Sequence, residues 1–309
     1  MKLKVTIDIF SGRPNPTAIL EGKEAKAMLD KMSLGAAFKK TSARQLPEPY
    51  NLGYRGVIVE PLDSNSAKAV PASVRVTPGR AYSAAAMSAA AADNFEQAIF
   101  DKLNKFKNVG NKREFQRVLE ASIGEFRIHR EAIKNMAAAW SSVDVAVPLA
   151  AGACDCAPDA DLAWWNDNGT RQFNNNCYNY STNYRTDTFA QPGKAAGKQY
   201  TSLSGCAVAV GKISAKTGAI ADGLTDNPTA NNTCPPKGHL VALVIAPNAD
   251  FHWYRKGNNG LWSHKPGATA ATTLDNSGKP ITDPRTANRG IYTQFCTFMT
   301  VLHGHIKIK

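Results

Sequence analysis

His239-Leu240-Val241-Ala242-Leu243-Val244-Ile245-Ala246-Pro247-Asn248-Ala249-Asp250-Phe251-His252-Trp253-Tyr254-Arg255-Lys256-Gly257-Asn258-Asn259-Gly260-Leu261-Trp262-Ser263-His264-Lys265 decides how the second half of this chain folds. Apolar, aromatic and β-branched residues concentrate at 240–245, 250–255 and 261–265, which is strand composition. The segments between them, 246–249 and 256–260, carry the Pro, Asn and Gly residues that reverse a chain. Connections this short join antiparallel neighbours, so the stretch predicts an antiparallel meander. A further strand over 292–302 and the alternating residues 305–309 close the chain.

Working upstream, 205–224 reads as a strand or helix start followed by a helix that stops at Asp222-Gly223. Before it stands Gln172-Phe173-Asn174-Asn175-Asn176-Cys177-Tyr178-Asn179-Tyr180-Ser181, where an Asn run precedes a cysteine in the way that N-caps precede a helix. The Ala- and Ser-rich residues 137–151 form the best linker, dividing the chain into a module at 1–136 and a cysteine-bearing domain at 152–309. In the first module Leu3, Val5, Ile7 and Ile9 share one side of an opening strand, ended by Ser11-Gly12-Arg13-Pro14-Asn15-Pro16. A short helix over 22–32 follows, then strands over 54–59 and 73–76. Two longer helices, with capping-box spacing at Asp93/Glu96 and Asn111/Glu114, make a helical hairpin. The expected class is α+β throughout, with a helix packed on an antiparallel sheet in the second domain.

The chain has 309 residues, 43% of them apolar, enough for two ordinary cores. Its net charge of +12 divides as 22 basic against 15 acidic residues before Ala146 and 15 against 10 after it, so neither half owns it. That field favours anionic surfaces. No basic cluster is interleaved with aromatics and no zinc-finger or RNA-recognition spacing occurs, which argues against specific nucleic-acid binding. No apolar run approaches the roughly 18 to 20 residues of a membrane span. The opening residues lack a signal-peptide pattern, so the expected location is cytoplasmic, or exported without an ordinary signal peptide.

All six cysteines lie between Cys154 and Cys296. Three disulfides fit an exported protein and free thiols a cytosolic one. Cys154 and Cys156 are too close to pair with each other, so each is expected to seek Cys206, Cys234 or Cys296 if oxidised. Their spacing with histidine is not that of a standard zinc site, and no metal or cofactor is expected. A thiol at a helix start feels the helix dipole, and a nearby imidazole can accept its proton, so Cys177 is the candidate nucleophile. His252 is the candidate base, His264 or His239 the group that orients it, and Gln172 a second donor to an oxyanion beside the helix-start amides. His129 lies on a helix among charged neighbours, and His303 and His305 share a face of the final strand.

The order of a helix-leading cysteine, a sheet histidine and a polar residue on the next strand resembles that of papain-like cysteine peptidases and bacterial cell-wall amidases. Cys177-Tyr178-Asn179-Tyr180-Ser181 is similar to the Cys-aromatic-small-aromatic-Ser run of the first group, with Asn179 departing from the small residue. Gly238-His239-Leu240-Val241-Ala242-Leu243-Val244 resembles the base-bearing strand of the second. No Asn-Ser-Trp segment follows. The whole chain also resembles an uncharacterised bacterial group with Phe-Ser-Gly-Arg-Pro-Asn-Pro near the start, Asn-Asn-Cys-Tyr-Asn-Tyr in the middle and Trp-Ser-His-Lys-Pro-Gly later. The peptidase resemblance implies a thiol hydrolase acting on an amide in peptidoglycan or protein. The competing expectation is a non-enzymatic, toxin-like or surface-binding protein whose second domain is stapled by disulfides, with Cys177 as one staple.

Overall fold

A computed structural model describes residues 1–32, 51–70, 73–77, 80–82, 89–128, 154 and 156–309. The expected linker and His129 fall outside the described residues. The described residues form two compact units, those within 1–9, 15–48 and 53–127 making one, and those within 10–14, 49–52 and 128–309 the other. The second unit therefore includes the Phe10–Pro14 segment that the sequence assigns to the first domain.

In the first unit, β1 (Lys2–Asp8), β2 (Thr17–Glu21), β3 (Gly56–Pro61), β4 (Val74–Thr77) and β5 (Arg80–Tyr82) form an antiparallel sheet in the order β2-β1-β3-β4-β5. Leu3, Val5 and Ile7 are fully buried, as their alternation requires. Helix α1 (Gly22–Lys31) buries Ala25, Met28 and Leu29, the stripe that its spacing predicts. Helix α2 spans Ser64–Ala69, capped by the Asp63 side chain on the Ser66 amide. The sequence reading omits α2, β2 and β5. Helix α3 (Ala89–Phe100) starts four residues before Asp93, which is therefore not its cap, because the alanines that precede it are strong helix formers. Helix α4 (Lys112–Ile128) does begin after Asn111, whose Oδ1 accepts the Glu114 amide at 3.1 Å. Asp8 is buried between Arg55 (2.6 Å) and Arg75 (2.6 Å). Burial alone would push its carboxyl up, and the two guanidinium groups outweigh that and hold it well below the ordinary range.

The second unit is an α+β assembly around another antiparallel sheet. Helices α5 (Leu162–Trp165), α6 (Thr170–Asn174), α7 (Cys177–Thr182) and α8 (Ala215–Ala221) precede strands β6 (Thr225–Asp226), β7 (His239–Ala246), β8 (Asp250–Lys256), β9 (Trp262–His264) and β10 (Gln294–Val301), ordered β6-β10-β7-β8-β9. β7, β8 and β9 are the meander read from the turns, with Val244 opposite His252 and Tyr254 opposite His264. Residues 305–309 are not a strand, and β10 ends before His303, so the two late histidines do not share a strand face. Every residue of β7 and β8 is buried, so the sheet is covered on both faces. Disulfides join Cys154 to Cys234 and Cys206 to Cys296, and Cys296 lies at the register shift between Phe295 and Thr297 in β10. Cys156 and Cys177 are free thiols.

Candidate functional site

Helix α7 starts as the Asn run predicts. The Asn176 side chain accepts the amides of Tyr178 (3.0 Å) and Asn179 (3.1 Å), while the Asn179 side chain accepts the Asn176 amide (3.2 Å), completing a capping box. This puts Cys177 in the first turn. Its side chain, however, points into the sheet, sharing a core with Tyr178, Phe251, Trp253, Val241, Leu243, Met299 and Val301. The sulfur is fully buried, 4.0 Å from the Phe251 carbonyl. Burial pushes the thiol well above its ordinary range, the Asp250 charge adds to this, and the Trp253 backbone amide does not offset it. A six-residue helix end does not make a thiolate against that desolvation.

His252 belongs to the opposite side of the same strand. Successive side chains alternate across a sheet, so Phe251 and Trp253 meet α7 while His252 and Tyr254 face away from it. His252 Nε2 lies 2.9 Å from His264 Nδ1, and His264 Nε2 lies 3.0 Å from the Leu274 carbonyl. A carbonyl only accepts, so His264 carries its proton on Nε2 and receives the His252 N–H on Nδ1. Burial drives the His264 pKa down to about 4, and the Leu274 carbonyl only partly restores it, which leaves this ring neutral at pH 7. Tyr254 and Tyr292 pack on His252 at ring-centroid distances of 4.8 and 5.5 Å. The expected Cys177–His252 pair is therefore corrected: the sheet stands between the two side chains.

His239 is on the cysteine side but at the far end of α7, its Nε2 donating to the Ser181 carbonyl at 2.7 Å. Burial lowers its pKa to about 3, partly opposed by that carbonyl. Gln172 is buried in α6, where its Oε1 accepts the Asn168 amide at 3.2 Å and its carbonyl accepts Lys265 Nζ at 2.5 Å. The five predicted residues thus do not converge: among the described residues no imidazole is recorded in contact with the Cys177 sulfur, and the paired histidines lie on the opposite side of the sheet from it.

What the structure does bring together is the three sequence motifs. The Asp250 carboxylate accepts the amides of Ser11 (2.6 Å), Gly12 (3.0 Å) and Arg13 (2.9 Å) and the hydroxyl of Tyr292 (2.6 Å). Burial pushes the Asp250 carboxyl up, while these four donors favour its ionised form. The Gly12 carbonyl accepts the side-chain amides of Asn176 (2.7 Å) and Gln191 (2.8 Å). A Cβ on Gly12 would stand 2.4 Å from the Phe251 ring, so only glycine fits there. Lys265 caps carbonyls of Gln172, Asn175 (2.7 Å) and Gly267 (2.6 Å), and Arg255 binds carbonyls of Tyr180, Asp159 and Ala160 beside the Tyr180 ring. Ser-Gly-Arg, Asn-Asn-Cys-Tyr and Trp-Ser-His-Lys are parts of one hydrogen-bonded frame. Sequence reasoning missed Asp250, Asn176, Arg255 and Lys265 as its joints, and the signal was there: charged residues inside otherwise apolar strand segments require buried partners.

Among the described residues no group of three or more His, Cys, Asp or Glu side chains is placed to hold a metal ion, and no helix is long and apolar enough to cross a membrane. No family profile matches the chain, and no solved structure matches it. The chain is similar to insoluble matrix shell protein 1 of Ruditapes philippinarum, 47% identical over 132 residues that make up 42% of this chain and 81% of that protein. This finding overturns the thiol-hydrolase expectation and its peptidase vocabulary, in agreement with a buried thiol on the wrong side of the sheet from the paired histidines. By that identity and coverage, the chain belongs to the family of insoluble matrix shell protein 1.

Proposed function

We propose that this chain is a non-enzymatic, exported structural protein that binds an anionic matrix, the surface-binding alternative raised by its cysteine-rich half. The observation that carries the proposal is the 47% identity across 81% of an insoluble shell-matrix protein. Export supports it from another side: two disulfides closing sequence separations of 80 and 90 residues persist in oxidising compartments. By chain entropy each contributes roughly 4 to 5 kcal/mol to a fold that must endure outside the cell. The net charge of +12 attracts carboxylated or sulfated polymers over a distance of about one Debye length, roughly 8 to 10 Å. The buried polar frame keeps the second unit rigid while that surface charge acts.

Co-sedimentation with carboxylated polymer beads tests the reading. The purified chain is expected to be retained at low salt and released by about 1 M salt, where the Debye length falls to roughly 3 Å. Failure to bind the beads, or cleavage of a peptide or peptidoglycan substrate that Cys177→Ala abolishes, would overturn it.

A further inference from the structure

The first unit holds a cleft of about 580 Å³ lined by α3 and α4, apart from every residue discussed as a site. Its floor carries Glu96, which is only 3% exposed. The Tyr54 hydroxyl donates to Glu96 Oε1, and the second carboxylate oxygen has no hydrogen-bond partner among the described residues. The residue as a whole is buried while this oxygen is free to accept a donor from the cleft that Glu96 lines. Phe100, Leu119 and Ile123 supply apolar wall, while the exposed Asp93 and Glu120 add negative charge to the lining. Carboxylates outnumber cations in the lining, four (Asp93, Glu96, Asp101, Glu120) to two (Lys112, Arg127), on a chain whose net charge is +12.

We infer that this cleft binds an organic cation, an ammonium or guanidinium head on a short apolar stem, with Glu96 as the anchoring carboxylate. The volume lies inside the range of about 300 to 1,000 Å³ typical of small-ligand pockets, and the apolar wall suits a stem rather than a bare ion. A metal ion is the poorer fit, since no described group of three or more ligating side chains is placed to hold one. Phe100 adds aromatic surface to the same lining. Burial raises the Glu96 pKa to about 8, against the opposing Tyr54 hydrogen bond, with Asp93 raising and Arg127 lowering it further; Asp101, Lys112 and Glu120 are the other charged groups lining the cleft. The cation therefore competes with a proton for Glu96, and the competition fades as the pH rises.

Titration of the full chain with n-butylammonium, using n-butanol as the uncharged control, tests this by amide chemical shifts and by calorimetry in buffers of different ionisation enthalpy. Saturable shifts confined to residues 89–128 and their sheet neighbours are expected for the amine and not the alcohol. Binding should tighten as the pH rises from 7 to 9.5, and Glu96→Gln should weaken it at least tenfold. A capped Ala-Lys-Ala peptide binding tighter than butylammonium assigns the cation to a polypeptide, and the reverse order to a free amine. Equal binding of the alcohol, unaltered affinity in Glu96→Gln, or weaker binding at pH 9.5 than at pH 7 would overturn the inference. The amine–alcohol comparison and the pH dependence are read on the unaltered protein, so they decide the matter even if Glu96→Gln fails to fold.

Discussion

The two faces of the second sheet differ in what they do with polar side chains. On the face covered by α7, Cys177 joins Phe251, Trp253, Leu243 and Met299 in a dry core, and His239 binds a carbonyl at the far end of the helix. On the other, Asp250, His252 and His264 are buried as well, but each is bonded: the carboxylate to three amides and a tyrosine, the imidazoles to each other and to a backbone carbonyl. The difference teaches that one strand, β8, separates the chemistry that its sequence places side by side. Residues 251 and 252 are neighbours in the chain and lie on opposite surfaces of the sheet.

The comparison can be broken most forcefully at Asp250. Asp250→Ala removes the carboxylate that accepts the Gly12 and Arg13 amides and the Tyr292 hydroxyl, leaves the Ser11 amide only its 3.3 Å bond to that hydroxyl, and is expected to cost on the order of 4 kcal/mol in denaturant unfolding. A loss below about 1 kcal/mol would show that the Ser11–Arg13 segment is not held there. Replacing both Cys206 and Cys296 by serine frees the bulged β10 from its staple and is expected to cost roughly 4 kcal/mol, seen as a lower unfolding midpoint.

The histidine face also carries a pH signature. The pKa of His264 is about 4 in the fold and about 6.5 in the unfolded chain, so between those values the unfolded state binds the extra proton. Its contribution is fully present above pH 6.5 and is lost as the pH falls to about 4, on the order of 3 kcal/mol in all. His264→Gln should flatten that part of the stability-against-pH curve. An unchanged slope would mean that the ring is not buried neutral. The smallest effect is expected at the cysteine: Cys177→Ala removes one buried sulfur from an apolar core and costs about 1 to 2 kcal/mol, with no rescue or loss tied to pH 7.

Much of this architecture is legible in the residues. Pro247-Asn248 and Gly257-Asn258-Asn259-Gly260 announce the turns of the meander, and Asn176 announces the start of α7, because turn and cap chemistry are local. The site is less legible because its decisive relations are not local. That Gly12 fits against Phe251, or that Asp250 holds the Ser11 amide from 239 positions away, depends on which surfaces meet. The alternation of β8 was visible, but not which of its faces the cysteine helix covers. Six cysteines allow fifteen full pairings, and the observed pairs leave Cys156 and Cys177 out altogether. The histidines misled for a related reason: an imidazole buried in a sheet satisfies its nitrogens with whatever carbonyl or ring is near, and such a ring reads like a base in sequence.

Native thiol labelling tests the central claim most directly. With neutral maleimide at pH 7 and no reductant, the folded chain is expected to react at one site, the exposed Cys156, and a second equivalent should enter at Cys177 only on unfolding. Fast modification of Cys177 in the folded protein, at a rate matching or exceeding that of Cys156, would contradict the account and return the thiol to the list of reactive groups.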